Sequence, residues 1–191
     1  MAKTKIHNLV SQYIKSGKML SNSDMKHLWT PWRMTYLQNN VPQPSGCIFC
    51  NAASTPENDA STFVVHRGKF AFIILNVYPY NNGHLMIVPF AHAESVEHLP
   101  PETLAEIMAL NNISLSVLRK AYNPHGFNVG INIGNAAGAG VPGHVHLHIV
   151  PRWSGDNNFM STLANTRVIP ELLDTTYERL KSLWPSDPIN D

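Results

Sequence analysis

The 191-residue sequence has few charged side chains and only two cysteines. Charged residues make up 14% of the chain and the formal net charge is +1, so nothing favours electrostatic binding to a nucleic acid polymer. No apolar run approaches the roughly 18 residues that a transmembrane helix requires. The amino terminus also lacks the apolar region of a signal peptide. We therefore expect a soluble, cytoplasmic protein with no membrane partner and no nucleic acid partner.

The two cysteines, Cys47 and Cys50, form a Cys-x-x-Cys pair. A secreted disulfide framework would distribute its cysteines along the chain, so we discard that interpretation. In a reducing compartment the pair is typical of a redox motif or of half a zinc site. Pro42, Pro44 and Gly46 predict a loop here, whereas redox pairs usually lie between a strand and a helix. Since the chain has ten histidines, half a zinc site is preferred, and two free loop thiols are the alternative.

The hydrophobic content of 43% is sufficient for one substantial core. We expect a single domain over residues 27–183, with an N-terminal extension at 1–26 and a C-terminal tail at 184–191. Within the extension, helical spacing ends at Ser16-Gly17. After the extension, Thr30-Pro31 predicts the start of a short helix. No internal repeat is present.

The pattern of apolar residues predicts an α+β fold, with an antiparallel sheet of about five strands, one long helix and a C-terminal helix. Residues 51–61 are predicted to be a polar loop. The long helix carries Leu104, Ile107, Met108, Leu115 and Leu118, which we place on one apolar stripe. The predicted strands span 62–66, 70–75, 84–89, 127–133 and 143–151, and the predicted helices span 102–121 and 170–183.

Three histidines alternate with apolar residues at His144, His146 and His148. Period-2 alternation is typical of a half-buried strand, so all three imidazoles should project from one face. At ~3.3 Å per strand residue, the outer two Cα atoms are about 13 Å apart. An imidazole reaches a metal from roughly 6.5 Å at most, so one ion cannot bind all three. At most two share a metal, and a solvated histidine-rich face is the alternative.

A glycine-rich segment at 134–143 directly precedes these histidines. Such a segment can turn its backbone N–H groups inward to form an anion-binding concavity. It matches neither a Walker A loop nor a dinucleotide-binding glycine motif. A phosphate-binding loop is the preferred interpretation, and a flexible hairpin linker is the alternative.

Together these motifs resemble the histidine triad family of nucleotidyl hydrolases and transferases. The resemblance covers roughly residues 28–183, and its strongest part is the histidine triad at 144–150. Further segments are similar to the diadenosine tetraphosphate phosphorylase (ATP adenylyltransferase) branch of the family. The motifs that carry the resemblance are Leu28-Trp29-Thr30-Pro31-Trp32-Arg33, Cys47-x-x-Cys50, Asn76-x-x-Pro79, Gly83-His84, Pro89-x-x-His92, the triad, and the segment from Pro151 to Met160.

The resemblance implies a role for each matched residue. His146 would be the nucleophile that attacks an α-phosphate and forms a covalent nucleotidyl-histidine, and His148 would donate to a phosphate oxygen or to the leaving group. The Nδ1 atom of His146 should then donate its proton to a backbone carbonyl of the glycine-rich segment. The nucleotide would be contacted by Ile74 and Leu75 near the base, by Asn76 at the ribose, by Gly138, Ala139 and Gly140 at the phosphates, and by His84, Asn132 and His148.

One departure from the family pattern concerns the second substrate. Related hydrolases carry a glutamine and a serine or threonine where this chain has Gly140-Val141. This difference favours a phosphorylase that cleaves dinucleoside polyphosphates with inorganic phosphate as the acceptor. The alternatives are a hydrolase of dinucleoside polyphosphates or nucleoside phosphoramidates, a zinc-dependent hydrolase that uses the triad as ligands, and a non-catalytic nucleotide sensor.

The resemblance also implies a structural zinc ion, no organic cofactor and a homodimer. The zinc ligands would be Cys47, Cys50, His92 and His144, with His98 and His66 as rival ligands. The homodimer would form through the long helix and an edge strand.

Overall fold

The structure, a computed structural model, describes residues 46–156 and 171–186. The predicted extension at 1–26 and the predicted helix start at Thr30-Pro31 lie outside these residues. Within the described part of the chain, no helix is long and apolar enough to cross a membrane. The helices are α1 (Ile48–Ser54), α2 (Asp59–Thr62), α3 (Pro101–Tyr122) and α4 (Leu173–Leu183), with 3-10 turns at Pro56–Asn58, Val96–His98 and Asn135–Ala137. The strands are β1 (Val64–Arg67), β2 (Ala71–Leu75), β3 (Leu85–Pro89), β4 (Gly126–Ile131) and β5 (Leu147–Arg152).

The strands form one five-stranded sheet in the order β1-β2-β3-β5-β4, and every neighbouring pair is antiparallel. The register places Ile74 opposite Met86, Met86 opposite His148, and His148 opposite Gly130. These four residues therefore share one row and one face of the sheet. The predicted α+β fold with an antiparallel sheet, a long helix and a C-terminal helix is confirmed.

The prediction of a polar loop over residues 51–61 is wrong. Two short helices and a 3-10 turn occupy this segment, because Pro56 begins the turn and local side-chain hydrogen bonds support the helical turns. Thr55 Oγ1 donates to the carbonyl of Asn51 at 2.8 Å, and Thr62 Oγ1 donates to that of Asn58 at 2.9 Å. The first strand begins at Val64 rather than at residue 62, and the last helix begins at Leu173 rather than at residue 170.

One face of the sheet packs against α3 and α4 and forms the larger core. Val145, Leu147 and Ile149 lie in this core, as the alternation predicted. The single apolar stripe predicted for the long helix is wrong in part, because its residues divide between two faces. Ile107 and Leu118 are 6% and 0% exposed, whereas Leu104 and Met108 are 37% and 52% exposed.

The other face of the sheet carries a second apolar cluster that is covered by α1. This cluster consists of Phe49, Ala52, Val64, Phe72, Ile74, Met86 and Val88. The histidine side chains lie on the same face, since His148 shares its row with Met86. The helix that the sequence did not predict therefore packs beside the candidate site.

A buried carboxylate on α3 joins the helix to the β1–β2 turn. Glu106 is 8% exposed, and its two oxygens accept the backbone N–H groups of Lys69, Phe70 and Ala71 at 2.7, 2.5 and 2.8 Å. A Cβ atom on Gly68 would come within 2.8 Å of the Glu106 carboxylate, which explains glycine at the turn. These hydrogen bonds to a charged group hold the hairpin against the helix.

Candidate active site

The three histidines do not all lie within a strand, which corrects the sequence prediction. Only His148 belongs to β5, while His144 and His146 precede it, because pairing between β5 and β3 starts at Leu147. The alternation nevertheless continues through this extended segment, since Val145 and Leu147 remain in the larger core. The three imidazoles consequently lie on the opposite side of the chain, next to α1.

The triad is divided between two sites. His144 faces the cysteine pair, whereas His146 and His148 line a cavity of about 440 Å³. The ring centroids of His146 and His148 are 4.6 Å apart. This division agrees with the expectation that a single ion cannot bind all three histidines.

Cys47, Cys50, His92 and His144 form a compact cluster whose potential ligand atoms all lie within 4.8 Å of one another. The Nδ1 atom of His144 is 3.3 Å from the Cys47 sulfur and 3.6 Å from the Cys50 sulfur. The Nδ1 atom of His92 is 3.2 Å from the Cys50 sulfur. Two thiols and two imidazoles are a donor set typical of structural zinc sites.

The rival ligands lie elsewhere. The His66 ring stacks on Trp184 with a centroid distance of 5.5 Å. His98 ends the exposed 3-10 turn Val96–His98. Neither belongs to the cluster of Cys47, Cys50, His92 and His144.

The tautomer of His144 is suited to metal binding. Its Nε2–H donates to the carbonyl oxygen of Pro89 at 2.9 Å, so the Nδ1 lone pair faces the cysteines. A ligand histidine characteristically donates its other ring N–H in this way. Burial and the neighbouring Cys47 raise the pKa of the Cys50 thiol. A cation in the cluster would offset this effect by stabilising the thiolate.

His146 is held as a neutral imidazole with a fixed tautomer. The side chain is 4% exposed, and burial lowers its pKa. Its Nδ1–H donates to the backbone carbonyl of His144 at 2.9 Å, which leaves the lone pair on Nε2. The expected backbone acceptor is therefore present, but the prediction that it belongs to the glycine-rich segment is wrong.

A chain of hydrogen bonds also sets the tautomer of His148. The backbone N–H of Tyr80 donates to Nδ1 of His84 at 3.1 Å, so a neutral His84 carries its proton on Nε2. That Nε2 lies 3.0 Å from Nδ1 of His148, which must act as the acceptor. Burial, followed by the charges of His148 and His146, lowers the pKa of His84 to about 3. His148 thus carries its proton on Nε2 when neutral.

The segment that holds Asn76 and His84 is fixed to the end of β5. Asn81 Nδ2 donates to the carbonyl of Pro151 at 3.0 Å and to the carboxylate of Asp156 at 2.9 Å. Arg152 donates to the same carboxylate at 2.6 Å and holds the pKa of Asp156 well below its usual range. This network was not predicted, because Asn81 is distant in sequence from Arg152 and Asp156.

The cavity combines an apolar part with a few polar groups, as in most small-molecule sites. The predicted nucleotide-binding residues that line it are Ile74, Leu75, Asn76, Asn132, Gly138, Gly140 and His148. Ala139 is not among the lining residues, and His84 lies behind His148. Asn76 is oriented by its own turn, since its Oδ1 accepts the N–H of Tyr78 at 2.9 Å and its amide nitrogen remains a donor.

One wall of the cavity was missed by the sequence interpretation. It is formed by α1, and its lining residues are Ile48, Phe49, Asn51, Ala52 and Thr55. Their spacing corresponds to one helical face, which is the signal that could have revealed the wall. This spacing was overlooked because residues 51–61 were predicted to be a loop.

The glycine-rich segment turns sharply beside the histidines. A 3-10 turn spans Asn135–Ala137, and the flanking Gly134 and Gly138 have φ angles of 78° and 81°. Side chains rarely adopt these left-handed conformations, so both positions favour glycine. The turn brings Gly138 and Gly140 to the cavity, where the sequence placed a phosphate-binding loop.

The profile of the HIT domain, the domain of the histidine triad family, matches residues 57–155 of this sequence. The chain belongs to the histidine triad family. A family relative, the AP-4-A phosphorylase of Mycobacterium tuberculosis, is 40% identical over 169 residues, which cover 86% of this chain and 87% of that protein. Because this similarity spans most of both chains, we assign the chain to the nucleotide-processing enzymes of the family.

Solved structures of the histidine triad family share the fold. A Zn-bound family protein from Mycobacterium smegmatis is 28% identical with a TM-score of 0.59, and the match covers 73% of this chain and 93% of that chain. A histidine triad nucleotide-binding protein from Sulfolobus tokodaii is 27% identical with a TM-score of 0.57, and the match covers 72% and 91% of the two chains. The predicted family and the predicted enzyme class are both confirmed.

Proposed function

We propose that the protein is a nucleotidyltransferase that cleaves dinucleoside polyphosphates of the diadenosine tetraphosphate type, with phosphate as the second acceptor. The observation that carries the proposal is the state of His146. Its ring is buried and neutral, its Nδ1–H is bound to a backbone carbonyl, and its Nε2 lone pair is available at the cavity. A neutral imidazole in this state is a competent nucleophile near neutral pH.

The cavity residues suggest how the nucleotide would lie. The apolar side chains of Ile74 and Leu75 would contact the base, and the Asn76 amide would donate to the ribose hydroxyls. The α-phosphate would then lie at His146. The turn that contains Gly138 and Gly140 would accommodate the remaining phosphates.

The reaction would proceed in two displacements. His146 Nε2 attacks the α-phosphorus, the bond to the β-bridging oxygen breaks, and a nucleoside triphosphate leaves while a nucleotidyl-histidine forms. His148 Nε2–H donates to the phosphate or to the leaving oxygen, because Nδ1 is occupied by the hydrogen bond from His84. An oxygen of inorganic phosphate then attacks the same phosphorus and breaks the P–N bond. A nucleoside diphosphate and free His146 result, with no organic cofactor.

Two observations favour phosphate over water as the acceptor. The loop has Gly140-Val141 ahead of the triad, so neither of these side chains can hydrogen bond to the phosphates. Gly140 and Val141 also line the cavity, where small and apolar residues leave room for a second anion. The 40% identity to the AP-4-A phosphorylase of Mycobacterium tuberculosis supports the same choice.

The acceptor is tested by incubating the enzyme with diadenosine tetraphosphate and labelled inorganic phosphate. Phosphorolysis gives ATP and labelled ADP, and the reaction depends on phosphate. Formation of ATP and AMP without phosphate would identify a hydrolase instead. Binding without any turnover would identify a sensor.

The nucleophile is tested by mass spectrometry of enzyme quenched during turnover. We expect an AMP adduct on His146, and His146→Asn should abolish it. His98→Asn is a matched control, since His98 is exposed and lies outside both the cavity and the cysteine cluster. An adduct on another histidine would contradict the assignment.

We also propose that Cys47, Cys50, His92 and His144 hold one structural zinc ion. Tetrahedral zinc with bonds of ~2.3 Å to sulfur and ~2.0–2.1 Å to nitrogen sets the S···N separation at about 3.5 Å. The observed S···N distances of 3.3, 3.2 and 3.6 Å fit this value. The Zn-bound relative from Mycobacterium smegmatis supports the choice of metal.

A homodimer is the proposed assembly. On α3, Leu104 and Met108 are exposed, and on the edge strand β4, Val129 and Ile131 are 44% and 36% exposed. Exposed apolar side chains beside an open strand edge favour pairing with a second copy. A dimer formed in this way would remove the exposed apolar side chains and the open edge of β4 from solvent.

A further inference from the structure

Phe49 lies at the junction between the cysteine cluster and the catalytic histidine. It occupies α1 between Cys47 and Cys50 and is 2% exposed. Its ring centroid is 4.9 Å from that of His146 and 5.4 Å from that of His144, with interplanar angles of 55° and 76°. The sequence interpretation gave this residue no role.

The hydrogen bond from His146 to the His144 carbonyl fixes one nitrogen but does not alone fix the plane of the ring. The imidazole can still turn about its Cβ–Cγ bond within the tolerance of that hydrogen bond. The Phe49 ring packs against the imidazole and restricts this movement, since close-packed side chains have little free volume. The direction of the Nε2 lone pair therefore depends on the Phe49 contact as well as on the hydrogen bond and on the His148 ring, whose centroid is 4.6 Å away.

The hydrogen bond and the Phe49 contact both come from residues in or next to the cysteine cluster. The first is the carbonyl of His144, whose side chain belongs to the cluster. The second is Phe49, which sits within a turn flanked by both cysteines. That turn is closed by the N–H of Asn51, which donates to the Cys47 carbonyl at 3.0 Å.

We propose that Phe49 is a positioning residue that directs the imidazole of His146 toward the substrate, and that the cysteine cluster acts on the reaction by holding Phe49 in place. The proposal rests on the proposed role of His146 as the nucleophile. It assigns to the cluster a second effect besides support of the fold.

The chemical consequence is specific to the first displacement. Attack requires the Nε2 lone pair to be aligned with the phosphorus and the leaving oxygen. A misplacement of about 1 Å can lower such a rate on the order of a hundredfold. Nucleotide binding depends on the whole cavity, so a change at Phe49 should affect adduct formation more than affinity.

The chain offers a matched control in Phe72. This residue belongs to the same apolar cluster and is 0% exposed, but its ring stacks on Phe90 with a centroid distance of 5.3 Å. It does not line the cavity. Phe49→Leu and Phe72→Leu therefore remove similar apolar volume from one cluster, and only the first removes a contact with His146.

The experiment measures three quantities in both variants: adduct formation in a rapid quench, the Kd of a non-cleavable dinucleotide analogue, and the ¹⁵N shifts of the His146 ring without nucleotide. For Phe49→Leu we expect at least tenfold slower adduct formation, a Kd within about threefold, and His146 ring shifts that differ from those of the wild type. For Phe72→Leu we expect a lower urea midpoint with adduct formation within about twofold of the wild type. Phe49→Met provides the same comparison if the leucine variant does not fold.

Three results would overturn the proposal: unchanged adduct formation in Phe49→Leu, an effect on Kd alone, or equal slowing in Phe72→Leu. The proposed effect of the cysteine cluster on Phe49 is tested with Cys50→Ser, which should move the ¹⁵N shifts of His146 in the same direction as Phe49→Leu. Unmoved shifts in Cys50→Ser would overturn that part. Failure of the proposed function would look different, because wild-type enzyme would then form no adduct on His146 while the ¹⁵N shifts still reported on the ring.

Discussion

His84 makes the stability of this protein depend on pH, and the effect can be calculated. The side chain is 1% exposed, and burial, followed by the charges of His148 and His146, lowers its pKa from 6.5 to about 3. The folded protein therefore keeps His84 neutral at pH values where the unfolded chain binds a proton. The stabilising contribution is complete above pH 6.5 and is lost as the pH falls from 6.5 toward 3.

The size of the loss follows from the pKa difference. Each unit below the unfolded pKa costs about 1.4 kcal/mol, so at about pH 5 His84 lowers the free energy of unfolding by roughly 2 kcal/mol. Domains are typically stable by about 5–15 kcal/mol, so this loss is readily measured.

The test uses urea unfolding at about pH 7.5 and about pH 5 with a constant zinc concentration. His84→Gln keeps a donor and an acceptor but cannot titrate, and His98→Gln is the exposed control. The wild type and His98→Gln should lose roughly 2 kcal/mol more than His84→Gln between the two pH values. His144 and His146 are present in all three proteins, so the difference between the variants isolates His84 together with its coupling to His148 and His146. An equal loss in all three proteins would refute the argument.

Three further predictions concern the metal, the hairpin and the dimer. Cys47→Ser should lose stoichiometric zinc and melt at a lower temperature, because one of four ligands is removed; elemental analysis that still finds one zinc per chain would contradict this. Glu106→Gln should lower the free energy of unfolding by about 2–3 kcal/mol in urea titrations, since one of the backbone N–H groups would face an amide nitrogen. Glu102→Gln, which changes an exposed side chain in the same helix, is the control. Equal losses of stability in the two variants would contradict the stabilising role of the buried Glu106 carboxylate. Met108→Lys should convert the proposed dimer to a monomer in sedimentation at about micromolar concentration, because a charge would enter the apolar contact; a wild type that is already monomeric, or a dimer that persists, would exclude this interface.

The sequence was sufficient for the parts of the site that depend on regular spacing. The alternation around His146 predicted which side chains enter the core and which face the cavity. The reach of an imidazole predicted that a single ion could not bind all three histidines of the triad. The Pro89-x-x-His92 motif, through the family resemblance, identified the fourth member of the cysteine cluster.

The parts that were missed depend on short-range backbone geometry. Helix α1 has only seven residues, and the residues with which it lines the cavity are both polar and apolar, so their helical spacing is only a weak signal. The acceptor for His146 Nδ1 was assigned to the wrong segment, because a hydrogen bond from a side chain to the carbonyl two residues earlier has no sequence signal. The division of the α3 residues between a buried and an exposed face could not be read from spacing alone, since Leu104 and Ile107 differ in exposure despite lying one turn apart.

His144 contacts the cysteine cluster and His146 with different atoms, and this difference has a consequence for the evolution of the site. The imidazole faces the cysteines, while the atom that orients His146 is a main-chain oxygen. Every amino acid would provide that oxygen. Another residue could therefore replace His144 if other contacts held the loop. No main-chain atom can replace the rings of His146 and His148.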